Sequence, residues 1–217
     1  MGLIKVGEDF RIENLKVAFS LKNDKITAID GVDIIFPHDK VTTIIGESGC
    51  GKSVLAQTIF HLLPDYAITS GKVFYGNIDI LNAANCYLQK FWGKEWGLIP
   101  QLPGESFSPV RKIKKHFNDI IKFSGQIGLT MSSVKDSLTL FDLHDHERIL
   151  NAYPHELSGG MLQRVLCAMA VLTSPKWILA DEPTKGLDED SYSSVFDNLT
   201  KIKKSRVKSM VVITHVF

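Results

Sequence analysis

The stretch 41-VTTIIGESGCGKSVLAQTIFHLL-63 decides how the rest of the chain is read. Val41–Ile45 is a short β-branched run of the kind buried in a parallel sheet. The next eight residues, Gly46, Glu47, Ser48, Gly49, Cys50, Gly51, Lys52 and Ser53, fit the pattern G-x-x-x-x-G-K-[ST]. From Val54 the apolar residues recur at helical spacing until Pro64 closes the run. A strand, a glycine loop and a helix in that order make a phosphate site. The glycines let backbone N–H groups turn inward on phosphate oxygens. The helix presents its positive end to the same oxygens. Lys52 reaches the β- and γ-phosphates, and the Ser53 hydroxyl goes to Mg²⁺. A ligand-free glycine turn is the plainer alternative, but a chance match in a chain this long has odds of roughly 1 in 100.

Outward from that loop, 177-WILADEPT-184 reads as a buried strand ending in two carboxylates. A Mg²⁺ partner has to be rigid and at the C-terminal edge of the sheet, which suits Asp181. Glu182, one residue on, points elsewhere because side chains alternate along an extended chain. It can orient and polarise an attacking water.

The 217 residues are enough for one globular domain, and 44% apolar against 23% charged residues allow a core. The net charge of +1 gives no reason to expect nucleic acid as the main partner. Cys50, Cys86 and Cys167 are too far apart for metal or redox spacing. No signal peptide opens the chain, and the longest apolar run, Val165–Leu172, is too short to span a bilayer.

Residues 10–45 and 70–80 read as strands, the latter as a strand and turn. Residues 84–160 are more mixed, with helical patches at 111–123 and 133–150. Residues 159–174 read as a helix closed by Pro175. Tyr192, Val195, Phe196, Leu199 and Ile202 mark another helix, and Met210–Thr214 a last buried strand. Alternating strands and helices predict an α/β fold with a mostly parallel sheet.

The run 157-LSGGMLQR-164 resembles the signature of ATP-binding-cassette (ABC) ATPases. Its physics is legible without the family: Ser158 is a natural N-cap, and Gly159 and Gly160 expose backbone N–H groups at the positive end of a long helix. The resemblance covers nearly the whole chain. It implies a P-loop (RecA-like) core with an N-terminal antiparallel β subdomain and an inserted helical one. Residues 1–217 then form one ATPase domain: 1–83 and 162–217 are the nucleotide-binding lobe, 84–161 the helical signature lobe, and the family's C-terminal extension is missing.

The resemblance also implies roles. ATP binds across Gly46–Val54, with Mg²⁺ held by Ser53, Gln101 and Asp181. Glu182, His215 and Gln101 are the catalytic set. Leu157, Ser158, Gly159, Gly160 and Gln163 close over the nucleotide of a second ATPase subunit in a head-to-tail dimer. Gly186, Leu187 and Asp188 cross that dimer interface. Phe19 is the candidate for packing on adenine, with Leu21 or Ile26 as alternatives.

The runs PQLPGESFSPV, LSGGMLQR and ADEPTKGLD look most like importer ATPases for oligopeptides, dipeptides and nickel or metal chelates. Such a subunit sits on the cytoplasmic face of the membrane, docked on permease subunits and served indirectly by an extracytoplasmic solute-binding protein, with no nucleic acid. The alternatives are a truncated nucleotide-binding module with little turnover, or a soluble ABC ATPase not tied to transport. The chain stops two residues after His215, so a frayed 210–217 segment is expected. His144 and His146 in DLHDHER are two residues apart, share no helix face, and read as a solvated surface.

Overall fold

A computed structural model describes residues 8–21, 24–183, 189–204 and 207–214. The chain divides into two compact units, Met1–Lys90 with Val211–Phe217, and Phe91–Met210.

The first unit is built on long antiparallel strands. β1 (Phe10–Leu21) and β2 (Asp24–Phe36) pair along most of their length. β3 (Val41–Ile45) leads into α1 (Lys52–Ile59). β4 (Ala67–Tyr75) returns along β1, and β5 (Ile78–Asp79) completes the order β2-β1-β4-β5. Alternate residues of β1 face inward, so Phe10 meets Phe60 and Tyr75 at ring distances of 5.3 and 4.8 Å. That cluster anchors the end of α1.

α1 stops four residues short of the expected Leu63. His61 takes φ 54°. The Leu62 N–H reaches back to the Gln57 carbonyl at 2.7 Å, and the His61 N–H to that of Thr58 at 3.1 Å. This is a Schellman ending with histidine where glycine is usual. The strand β3 also departs from expectation. It is half-buried at its centre, with Val41 46% and Ile45 53% exposed. It stands at the end of its sheet order beside β8, so one edge has no strand against it among the described residues.

The second unit begins near α2 (Asn85–Leu88), which belongs to the first, and opens with β6 (Trp96–Ile99). α3 (Ile113–Ser124), α4 (Met131–Leu140) and α5 (His146–Asn151) follow. The sequence suggested one helical patch over 133–150, but Asp142 at φ 57° splits it, again with Schellman bonds back to Leu138 and Thr139. α6 (Gly159–Val171), β7 (Trp177–Asp181) and α7 (Glu189–Lys204) complete the unit. Along α7 the buried stripe is Val195, Asn198 and Ile202; Phe196, expected on that face, is exposed. β6 and β7 run parallel with Trp96 opposite Trp177 and Ile99 opposite Ala180. Both tryptophans are fully buried.

β8 (Ser209–Thr214) is buried at every position. The expected fraying therefore fails over 210–214, where an unbroken apolar run is held in the sheet. Residues 215–217 lie outside the described residues. Among the described residues no helix is long and apolar enough to cross a membrane.

Candidate nucleotide site

The phosphate loop is shaped by one glycine that no other residue could replace. Gly51 stands at φ 96° as the N-cap of α1, and a Cβ there would lie 2.6 Å from the Ala28 carbonyl oxygen of β2. Both facts demand glycine. The strand fixes the loop, and the loop fixes the start of the helix. No side chain caps α1, so its positive end is left facing the loop's interior. Lys52 is only 6% exposed. Its ammonium donates to the Gly46 and Glu47 carbonyls at 2.8 and 2.7 Å. These bonds satisfy a buried cation with loop oxygens and hold the lysine at the mouth of the cradle.

Phe19 lies at the end of β1, half-buried, with its ring 6.0 Å from that of Tyr66. Ile26 stands directly across from it on β2, two residues from the Ala28 that Gly51 abuts. Ile26 is thus on the strand that abuts the loop, and Phe19 is on the strand paired with it. Tyr66 was not legible as a neighbour, because the turn that carries it follows a helix ending earlier than the periodicity suggested. The side chain of Leu21, and all of Gly186, Leu187, Asp188 and His215, lie outside the described residues.

In the second unit, β7 ends on a half-buried Asp181, and Glu182 follows at φ 44°. A left-handed backbone at a non-glycine residue costs about 1–3 kcal/mol and persists only where its surroundings hold it. Two bonds do so. Gln101 Nε2 donates to Glu182 Oε2 at 2.9 Å. Gln163 Nε2 donates to the Pro183 carbonyl at 2.6 Å. Glu182 itself is 6% exposed.

Ser158 caps α6, its hydroxyl oxygen accepting from the Met161 N–H at 3.3 Å. Ser158, Gly159 and Gly160 are exposed, and a Cβ on either glycine would meet nothing within 4 Å. Leu157 and Gln163, named with Ser158 in the signature expectation, differ from it in exposure. Both are buried, and the Gln163 amide is bonded inside its own chain rather than presented with Ser158.

Around the histidine pair at 144 and 146 the polar side chains are paired with one another. His146 bonds the Thr139 hydroxyl at 2.9 Å, Glu147 pairs with Lys135 at 3.0 Å, Asp145 caps the Arg148 N–H, and Asp142 pairs with Lys201. The Lys135 ammonium holds the Glu147 carboxyl below its usual range, as Lys201 does for Asp142. No group of three or more His, Cys, Asp or Glu converges on a metal position among the described residues. Mg²⁺ needs no such cage, since it takes one or two protein oxygens beside phosphate and water. The Ser53 hydroxyl and the Asp181 carboxylate are donors of that kind.

A glycine loop between strand and helix in the first unit, and in the second a strand ending in two carboxylates of which Glu182 accepts from Gln101 just past the neighbouring parallel strand, mark a P-loop α/β nucleotide-binding protein. The family model described as ABC transporter matches residues 29–185. The chain belongs to that family. It is 34% identical over 209 residues to the dipeptide transport ATP-binding protein DppD of Caldanaerobacter subterraneus subsp. tengcongensis, covering 94% of this chain and 64% of that protein. It is 31% identical over 217 residues to the oligopeptide transport ATP-binding protein OppD of Bacillus subtilis, covering 98% and 61%. The metal-staphylopine import system ATP-binding protein CntD of Staphylococcus aureus is 32% identical over 193 residues, covering 86% and 70%. The chain thus spans just under two-thirds of the length of the DppD and OppD relatives. Among solved structures, the dimeric post-hydrolysis state of the ATP-binding cassette MJ0796 bound to ADP and Pi superposes with a TM-score of 0.81 at 25% identity, covering 95% of this chain and 88% of that one.

Proposed function

We propose that the chain is an ATP-binding and hydrolysing subunit of an importer for peptides or metal chelates. It works as one half of a nucleotide-sandwich dimer on the cytoplasmic face of membrane permeases. ATP sits on Gly46–Val54, with Phe19 beside the base. Lys52 exchanges the Gly46 and Glu47 carbonyls for phosphate oxygens. Ser53, Asp181 and Gln101 supply oxygens for Mg²⁺, which when bound neutralises charge on the phosphates. Glu182 accepts a proton from the attacking water, and Gln101 steadies its carboxylate. His215 acts at the γ-phosphate, and the Gly186–Asp188 loop serves the dimer interface. The relatives' names support the transport reading: peptide transport for DppD and OppD, metal-staphylopine import for CntD.

The observation that carries the dimer is the open space at Gly159 and Gly160. Each glycine at a helical position costs up to about 1 kcal/mol relative to alanine, and among the described residues nothing would meet a Cβ at either of them. We read them as there for a ligand that approaches the backbone closely. The partner subunit's nucleotide, drawn to the positive end of α6, is that ligand. Light scattering with and without Mg-ATP tests this. Wild-type chain should roughly double in mass with ATP, and Ser158→Arg should stay monomeric. A mass unchanged by ATP at hydrolysis-competent concentrations would refute the dimer.

A further inference from the structure

We infer that Gln163 is a positioning residue for Glu182, tying the signature helix to the backbone that carries the catalytic carboxylate of the same chain. The inference rests on the reading of Glu182 given above. Three observations lead to it. First, the Gln163 side chain is 5% exposed, and its amide donates to the Pro183 carbonyl at 2.6 Å across twenty residues of sequence. A buried amide is costly unless hydrogen-bonded, so this contact is held rather than incidental. Second, Pro183 has no N–H, and its carbonyl is therefore the backbone handle available at that position. Third, Glu182 stands in the left-handed region, a conformation that needs support on both sides. Gln101 grips its carboxylate, and Gln163 grips the next peptide.

The consequence is mechanical. Ser158 and Gly160 open the same helix that carries Gln163. An α-helix this short moves as a rigid rod, so a displacement of its N-terminal turn on meeting phosphate carries Gln163 along. The Pro183 carbonyl follows, and the Glu182 carboxylate is re-aimed. Engagement of one nucleotide by the signature turn thereby sets the geometry of the carboxylate that serves the chain's own nucleotide. On this inference Gln163 serves as the internal link between the signature turn and Glu182.

The test is a double-mutant cycle on the purified chain. Gln163→Met keeps the length and bulk of the side chain but removes the donor. We expect kcat for ATP to fall about tenfold with the KM for ATP near wild type, and the melting temperature to drop only by the several degrees that one lost buried bond costs. In the Glu182→Gln background the same change should slow residual single-turnover hydrolysis no further. Wild-type kcat in Q163M, or an equal slowing in both backgrounds, would overturn the link. If E182Q alone keeps wild-type turnover, the reading of Glu182 falls instead, and the two failures are distinct. Should Q163M fold poorly, Gln163→Glu decides the matter. A protonated carboxyl can donate to the Pro183 carbonyl and an ionised one cannot, so turnover relative to wild type should rise from about pH 8 to about pH 6. A flat, wild-type-like ratio would overturn the link as well.

Discussion

Gln101 and Glu182, 81 residues apart, are joined by a hydrogen bond of 2.9 Å from the amide to the carboxylate. The register explains it. Ile99 stands opposite Ala180 in the parallel pair β6–β7, and each residue of the bonded pair lies two positions beyond its strand partner. Two strand ends therefore deliver one site.

Removing that amide leaves a buried carboxylate short of a donor. Gln101→Ala should destabilise the chain by about 1–3 kcal/mol in urea unfolding. ATP turnover should drop about tenfold while nucleotide binding persists. Unchanged stability together with unchanged turnover would show that the bond does not form in solution.

The glycines at 51 and 159 should respond in opposite ways. Gly51→Ala forces a Cβ to within 2.6 Å of the Ala28 carbonyl at φ 96°. We expect loss of several kcal/mol, of the order seen for steric strain at such positions, with ATP binding abolished. Gly159→Ala meets open space. It should melt at or above the wild-type temperature, gaining up to about 1 kcal/mol of helix propensity, yet lose ATP-dependent dimerisation. Calorimetry beside light scattering separates the two.

Lys52→Met substitutes an apolar chain of similar reach for the buried ammonium. The fold should survive. ATP affinity should weaken by about 10–100-fold, the range for a lost charge-assisted bond to phosphate. A fluorescent ATP analogue titrated into both proteins reads this directly.

The three cysteines should divide by burial. Cys50 and Cys86 are exposed and Cys167 is buried. Burial pushes the Cys167 thiol up to about 12. The thiolate is the reactive form, so this group stays protonated and inert through the neutral and mildly alkaline range. Maleimide at neutral pH should label two sites in the native chain and three after denaturation. Bound Mg-ATP should protect Cys50. Its position in the phosphate loop predicts this, and labelling of Cys50 at the same rate with and without ATP would contradict it.

Nickel titrated into the chain should give no heat attributable to His144 and His146, because each neighbouring carboxylate is already committed to a lysine or a cap. Stoichiometric binding lost in a His144→Ala variant would reverse that conclusion.

The phosphate loop, the carboxylate strand and the capped α6 were legible because each is a local pattern: glycines at fixed offsets, an apolar run ending in acid, a serine before two glycines. Helix ends were less so. The left-handed His61 and Asp142 terminate α1 and α4 with Schellman bonds, and nothing in residue type distinguishes such a histidine from one inside a helix. The edge exposure of β3 and the burial of Asn198 instead of Phe196 are tertiary outcomes, set by which elements lie alongside. The bond from Gln163 to Pro183 was not legible for a related reason. A motif names a residue, whereas the helix face it falls on decides what it touches.

On the proposed function, Glu182 activates water for ATP hydrolysis. Steady-state turnover of Glu182→Gln, measured with ATP occupancy, tests it most directly. A positioned base contributes about a hundredfold or more, so at least that loss is expected, with ATP retained on a stable dimer. Turnover within about twofold of wild type would contradict it.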